Sequence, residues 1–167
     1  MPKNKNIVLN TGPLISLIAA QQGLEFLTSL YGNILVPKEV VNEINEGGKS
    51  GFGIEEFSNY NFFNKQSDST KLNTHLKNSL DRGEASVIQL ALDKDINLVC
   101  IDEPVGRRIA RLYDLKVTGS IGILLRAIKE GHNISMEKSL ENMKKRGIYL
   151  SKKLTKFAIR KANELKD

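Results

Sequence analysis

Three short apolar runs and one weaker run, each followed by a segment of helical periodicity, restrict what this chain can fold into. The runs are Ile7-Val8-Leu9, Ile34-Leu35-Val36, Leu98-Val99-Cys100-Ile101 and the weaker Lys116-Val117-Thr118. A run this short and this apolar reads as a buried strand. Strands that alternate with helices indicate a parallel sheet with helices on both faces. Right-handed crossovers then fix the broad topology.

The helices are read from their punctuation. Asn10-Thr11-Gly12-Pro13 closes the first strand and opens a helix with Pro near its first position, continued by Leu14, Ile15, Leu17 and Ile18. Leu24, Leu27, Leu30 and Tyr31 predict a second short helix stopped at Gly32. Pro37 opens a helix whose apolar face holds Val40, Val41 and Ile44, with Gly47-Gly48 ending it. Residues 45–69, frequent in Gly, Ser and Asn, read as a loop with a strand or turn near Asn61–Asn64. A helix is expected over Thr70–Leu80. Asp81-Arg82-Gly83-Glu84 starts a stronger one with Ala85, Ile88, Ala91 and Leu92 inward. Val105–Tyr113 is predicted helical. Gly119-Ser120 reads as the cap of a helix carrying Ile121, Leu124, Leu125 and Ile128. Two final helices, near Ser135–Arg146 and Ser151–Leu165, both start at Ser, a good N-cap.

The chain has 167 residues, one domain by length and enough to bury a core. Its single cysteine, Cys100, lies inside an apolar run and is expected to be structural. No intrachain disulfide is then available, which fits a reducing cytoplasm. No apolar stretch approaches the ~18 residues of a membrane span, and Met1-Pro2-Lys3-Asn4-Lys5 lacks a cleavable signal pattern. Net charge is +6, and all of it falls in residues 140–167, which hold nine basic and three acidic side chains. A neutral body with a basic helical C-terminal segment suits a polyanion or an acidic partner; a solvated helix face explains the same charge.

Parallel sheets bind ligands at the carboxyl ends of their strands. Asn10 and Asp102 each directly follow a strand's last apolar residue. Glu43 lies near the boundary of a buried helix face, and Glu84 sits in a first helical turn, where the helix dipole favours an anion. Carboxylates gathered at one edge repel each other unless a cation offsets them. Mg²⁺ or Mn²⁺ prefers such oxygen ligands, and either ion lowers the pKa of bound water and polarises a phosphoryl oxygen. That is the machinery of phosphodiester hydrolysis. Gly48-Lys49-Ser50 imitates the end of a phosphate loop, but the upstream Gly position holds Glu43. His75 and His132 stand alone and read as surface residues, and one Cys with two separated His argues against zinc.

In order, five segments resemble a PIN-domain protein over nearly the whole chain. They are Val8-Leu9-Asn10-Thr11-Gly12-Pro13-Leu14-Ile15, Val36-Pro37-Lys38-Glu39-Val40-Val41-Asn42-Glu43, Asp81-Arg82-Gly83-Glu84-Ala85, Cys100-Ile101-Asp102-Glu103 with Gly106-Arg107-Arg108, and Val117-Thr118-Gly119-Ser120-Ile121-Gly122. The chain is most similar to a prokaryotic PIN-like branch related to VapC-like toxins. The resemblance implies a three-layer α/β/α sandwich with a mostly parallel central sheet, and a Mg²⁺- or Mn²⁺-dependent endoribonuclease leaving a 5′-phosphate and a 3′-hydroxyl. It also implies a small antitoxin as partner, and homodimerisation. Glu43, Glu84 and Asp102 match acidic positions of the family's site, and Glu103 stands beside Asp102 as a further ligand. Asn10 stands where the typical member has Asp; the branch most resembled also has Asn there. An amide still offers a carbonyl oxygen but no charge, so metal affinity should fall. Thr11 and Ser120 are candidate polar helpers. Arg107, Arg108 and Arg111 are candidate phosphate contacts. Lys152, Lys153, Lys156 and Arg160 on the basic C-terminal helix would hold RNA or an acidic antitoxin segment. The rival readings are a nucleic-acid-binding or regulatory module whose site Asn10 has broken, and a protein-interaction subunit.

Overall fold

Val8 is fully buried and pairs with Leu35 on one side and Val99 on the other, so its strand is the centre of the sheet. The computed structural model describes residues 5–47 and 50–166. Among these residues five strands form one sheet: β1 Lys5–Leu9, β2 Tyr31–Val36, β3 Phe63–Lys65, β4 Leu98–Cys100 and β5 Lys116–Thr118. Their spatial order is β3-β2-β1-β4-β5, and every neighbouring pair is parallel. The chain builds outward from β1 to β3, then returns to the other side of β1 for β4 and β5. The order therefore reverses between β1 and β4, which opens a crevice at the carboxyl ends of these two strands.

Ten helices surround the sheet among the described residues: α1 Thr11–Ala20, α2 Leu27–Leu30, α3 Lys38–Glu46, α4 Ile54–Asn59, α5 Thr74–Ser79, α6 Arg82–Asp93, α7 Pro104–Leu112, α8 Ser120–Lys129, α9 Met136–Lys145 and α10 Lys152–Lys166. Helix α6 packs on β1 and β4 and touches α3, α5 and α7. A second group joins α1 to α8 and α9, with α2 against α8 and α10 against α8 and α9. The result is a three-layer α/β/α sandwich. No helix of the described residues is long and apolar enough to cross a membrane.

Local chemistry explains where the helices start. The Asp81 carboxylate accepts the Glu84 N–H at 2.9 Å, a cap that stabilises α6 by about 1 kcal/mol. Ser135 Oγ accepts the Lys138 N–H at the head of α9, and Ser151 Oγ accepts the Leu154 N–H at the head of α10. Cys100 is completely buried, and burial, followed by the nearby Asp102, pushes its thiol pKa well up. Such a thiol is a packing group, not a nucleophile.

Several boundaries differ from the sequence expectation. Tyr31 is not the end of a helix: it is buried and starts β2, paired with Lys5. The stretch expected as a loop contains α4, whose Phe57 is buried with its ring 5.3 Å from that of Phe63. Thr70–Leu80 is helical only from Thr74. The Thr70 N–H and hydroxyl both donate to the buried Glu39 carboxylate, and Asn73 caps the helix by accepting the Leu76 N–H. Leu92 lies on the solvent side of α6, while Val87 and Leu90 are buried. Gly48 and Lys49 lie outside the described residues.

Candidate functional site

Asn10 is the first residue past β1, and its N–H donates to the Cys100 carbonyl at 3.1 Å, extending the β1–β4 pairing to the crevice. It is also the N-cap residue of α1, a position where an Asn side chain normally accepts a helix N–H. Here the side chain makes no capping bond, although the residue is 6% exposed. The amide is thus held at the sheet edge without its usual local partner.

Helix α3 brings Glu43 to the same region. The Thr11 hydroxyl, in the first turn of α1, donates to Glu43 Oε2 at 2.8 Å. The other carboxylate oxygen lies against the α-carbon of Gly83, where any Cβ would overlap it. Glycine at 83 is therefore what lets α3 and α6 close over this carboxylate. The next residue, Glu84, is 8% exposed. Burial pushes its carboxyl up to about 7, and the negative charges of Asp81, Glu103 and Glu43 add to the rise. Glu43 is raised too, chiefly by burial, with the Thr11 bond opposing and Asp81 and Glu46 adding. Gly106 on α7 borders Glu84, and a Cβ there would come within 3.4 Å of its carboxylate.

Asp102, two residues beyond β4, is turned towards α8. Its two oxygens accept the Ser120 N–H at 2.8 Å and the Ser120 hydroxyl at 3.0 Å. Ser120 is the first residue of α8 rather than its N-cap, which is Gly119, and its hydroxyl holds Asp102. Glu103 is exposed at the head of α7 and makes no capping bond. The Arg107 guanidinium, a candidate phosphate contact, donates Nη1–H to the Ile101 carbonyl at 2.8 Å.

Among the described residues, no three His, Cys, Asp or Glu side chains stand close enough together to hold a metal ion. Local bonds account for the separation. Glu43 is drawn to Thr11 and Asp102 to Ser120, while Glu84 remains beneath α7. The donor chemistry nonetheless suits a hard cation: every candidate ligand is an oxygen, and Glu84 sits amid uncompensated negative charge. Of the expected residues, Glu43 and Glu103 act electrostatically on Glu84, whereas Asp102 is engaged by Ser120 on the α8 side.

The other sequence candidates are more dispersed. Arg108 and Arg111 are exposed on α7, and Lys152, Lys153, Lys156 and Arg160 are exposed on α10. Arg160 lies 3.9 Å from Glu164. Lys152 and Lys156 border a cleft between α9 and α10 that contains none of the acidic site residues. His75 is exposed and bonded to the Tyr113 hydroxyl, and the partly buried His132 contacts Ser29 Oγ. The sequence reading did not single out Lys145 and Arg146, which with Thr11 and Glu43 line a cleft of 820 Å³. Their only sequence signal was membership of the basic C-terminal segment.

A family model described as DUF3368, PIN domain, matches residues 6–164. No curated protein and no solved structure matches the chain.

Proposed function

Because the chain belongs to the PIN-domain family DUF3368, we propose that it is a nucleic-acid-interacting module that hydrolyses RNA phosphodiesters with a Mg²⁺ or Mn²⁺ ion at the β1–β4 crevice. The observation that carries this reading is Glu84, a buried carboxylate raised to about 7 beside Asp81, Glu103 and Glu43. A divalent cation would relieve that repulsion, and charge unrelieved in the protein alone marks a functional edge. Glu43, Glu84 and Asp102 would hold the ion, with Glu103 alongside and Asn10 offering a neutral carbonyl oxygen. When bound, such an ion lowers the pKa of water and polarises a phosphoryl oxygen. Thr11 orients Glu43, and Ser120 orients Asp102. Without the ion, Glu84 keeps its proton up to about pH 7, and binding the ion would displace that proton. Arg108, Arg111 and the α10 side chains Lys152, Lys153, Lys156 and Arg160 provide positive surface along which RNA approaches. The test is Mn²⁺-dependent cleavage of RNA by the wild type that disappears in Glu84→Gln and in Asp102→Asn. Cleavage that survives both changes sinks the assignment.

A second reading is favoured by the separation of the carboxylates and the uncharged Asn10: a module that binds RNA without cutting it. It predicts salt-sensitive binding and intact RNA after long incubation with Mn²⁺. The toxin form of the first reading adds a small antitoxin protein as partner. It predicts growth arrest on expression that requires Glu84 and Asp102.

A further inference from the structure

The cleft containing Thr11 and Glu43 has a basic far wall. There the chain leaving α9 presents Lys145 and Arg146 next to Phe52. The same three residues line a second cleft, of 360 Å³, whose other walls include Gln22, Glu56 and Tyr60. Phe52, Lys145 and Arg146 thus form a ridge between the two clefts, and no other Lys or Arg among the described residues lines either one. The Arg146 guanidinium carbon sits 4.3 Å from the centre of the Phe52 ring. Among the described residues neither Lys145 nor Arg146 forms an ion pair, although Glu43 and Glu46 line the same cleft.

A polyanion that reaches Glu43 is repelled by it and by Glu46 unless cations offset them nearby. A guanidinium laid on an aromatic face is pre-organised and weakly hydrated, which suits a phosphate. We propose that Lys145 and Arg146 each hold a backbone phosphate of a single RNA strand. The strand crosses the Phe52–Arg146 ridge from the Glu43 cleft, and its next nucleotide enters the smaller cleft. This path rests on the RNA reading above for its ligand, but it requires neither metal nor cleavage. The competing account is that basic residues at the end of α9 merely complement the helix dipole. That account changes the melting temperature and leaves RNA binding alone.

The two accounts separate in a salt titration. Binding of a short fluorescein-labelled single-stranded RNA is followed by anisotropy in EDTA, and log K is plotted against log salt concentration. Each phosphate contact on a single strand contributes about 0.7 to the slope. The Lys145→Ala/Arg146→Ala variant should lose about 1.4 from the slope, and Arg146→Gln alone about 0.7. Lys77→Ala/Lys94→Ala, on exposed side chains that line neither cleft, should leave the slope unchanged. A slope unchanged in the Lys145 and Arg146 variants, an equal loss in the Lys77 and Lys94 pair, or polyglutamate competing as well as RNA overturns the proposal. A chain that cleaves with Mn²⁺ yet shows no loss of slope overturns the strand path alone. A chain that loses slope as expected but never cleaves leaves the path standing and sinks the hydrolase reading.

Discussion

The Glu43 carboxylate lies in contact with the α-carbon of Gly83, with no room between them for a methyl group. Two helices far apart in sequence meet at this point, and the contact positions both Glu43 and its neighbour in space, Glu84. Gly83→Ala must push Glu43 away from Thr11 or part α3 from α6. We expect a loss of about 1–3 kcal/mol in urea melts, as for other overpacked sites, and cleavage reduced at least as far as in Glu43→Gln. Gly12→Ala is the control. Nothing lies within 4 Å of a Cβ there, and the residue is exposed in the first turn of α1. It should be neutral or stabilising by up to about 1 kcal/mol. A Gly83→Ala protein as stable and as active as wild type would remove the close-approach argument.

Glu84 makes stability depend on pH in a direction opposite to that of an ion-paired carboxylate. Its carboxyl ionises near 4.5 in the unfolded chain and is raised to about 7 by burial, then by Asp81, Glu103 and Glu43. Between those values the folded state keeps a proton that the unfolded state releases. Its stabilising contribution is therefore fully present below about 4.5, falls as pH rises and is gone above about 7. In EDTA, Glu84→Gln should match wild type near the lower pH and exceed it above the upper one by up to about 3 kcal/mol. Urea melts at the two extremes check this. A difference that does not change with pH would show that the carboxyl is not perturbed.

What the sequence made legible follows from how local each signal was. The ends of β1 and β4 were marked by apolar runs stopping at Asn10 and Asp102, so the crevice was located from sequence alone. The Ser caps of α9 and α10 were also local, and each accepts the expected N–H. The start of β2 was not local. Gly32 and Asn33 are exposed and resemble a turn, and Tyr31 is extended because it pairs with Lys5. Helix α4 is held by Phe57 packing on Phe63, and its sequence signal was only that Phe57, Tyr60, Phe62 and Phe63 cluster in a Gly- and Ser-rich stretch, with no helical periodicity. Similarly, the place of Arg146 beside the acidic cleft depends on Phe52, almost a hundred positions earlier in the chain.

Arg107 tests the difference between a cation that binds ligand and one that holds the fold. Its Nη1–H bond to the Ile101 carbonyl ties α7 to the chain just beyond β4, and Ile101 is completely buried. Removing the donor leaves that carbonyl without its charged partner, which costs about 1–3 kcal/mol. Arg107→Ala should therefore lower the urea midpoint and leave the salt slope of RNA binding unchanged. Arg108→Ala, on an exposed side chain, should leave the midpoint unchanged. A slope that falls in Arg107→Ala at unchanged stability would return this residue to the phosphate contacts.

Asn10 sets the charge of the crevice, and Asn10→Asp changes it by one unit with little change in shape. The residue is 6% exposed and its side chain makes no capping bond, so a carboxylate there could either cap α1 or face the crevice. Capping alone would stabilise the metal-free protein by a few tenths of a kcal/mol at most, because Asn and Asp are nearly equal caps. A carboxylate facing the crevice would instead add repulsion to an edge where Glu84 is already raised. On this second account, which the site assignment requires, the variant melts lower than wild type in EDTA and gains more than wild type when Mn²⁺ is added. Stabilisation by a ligand grows with its concentration over its dissociation constant, so about tenfold tighter Mn²⁺ binding adds about 1.4 kcal/mol at saturating ion. Cleavage should rise with it. An Asn10→Asp protein that melts as wild type does at every Mn²⁺ concentration would place residue 10 outside any metal site.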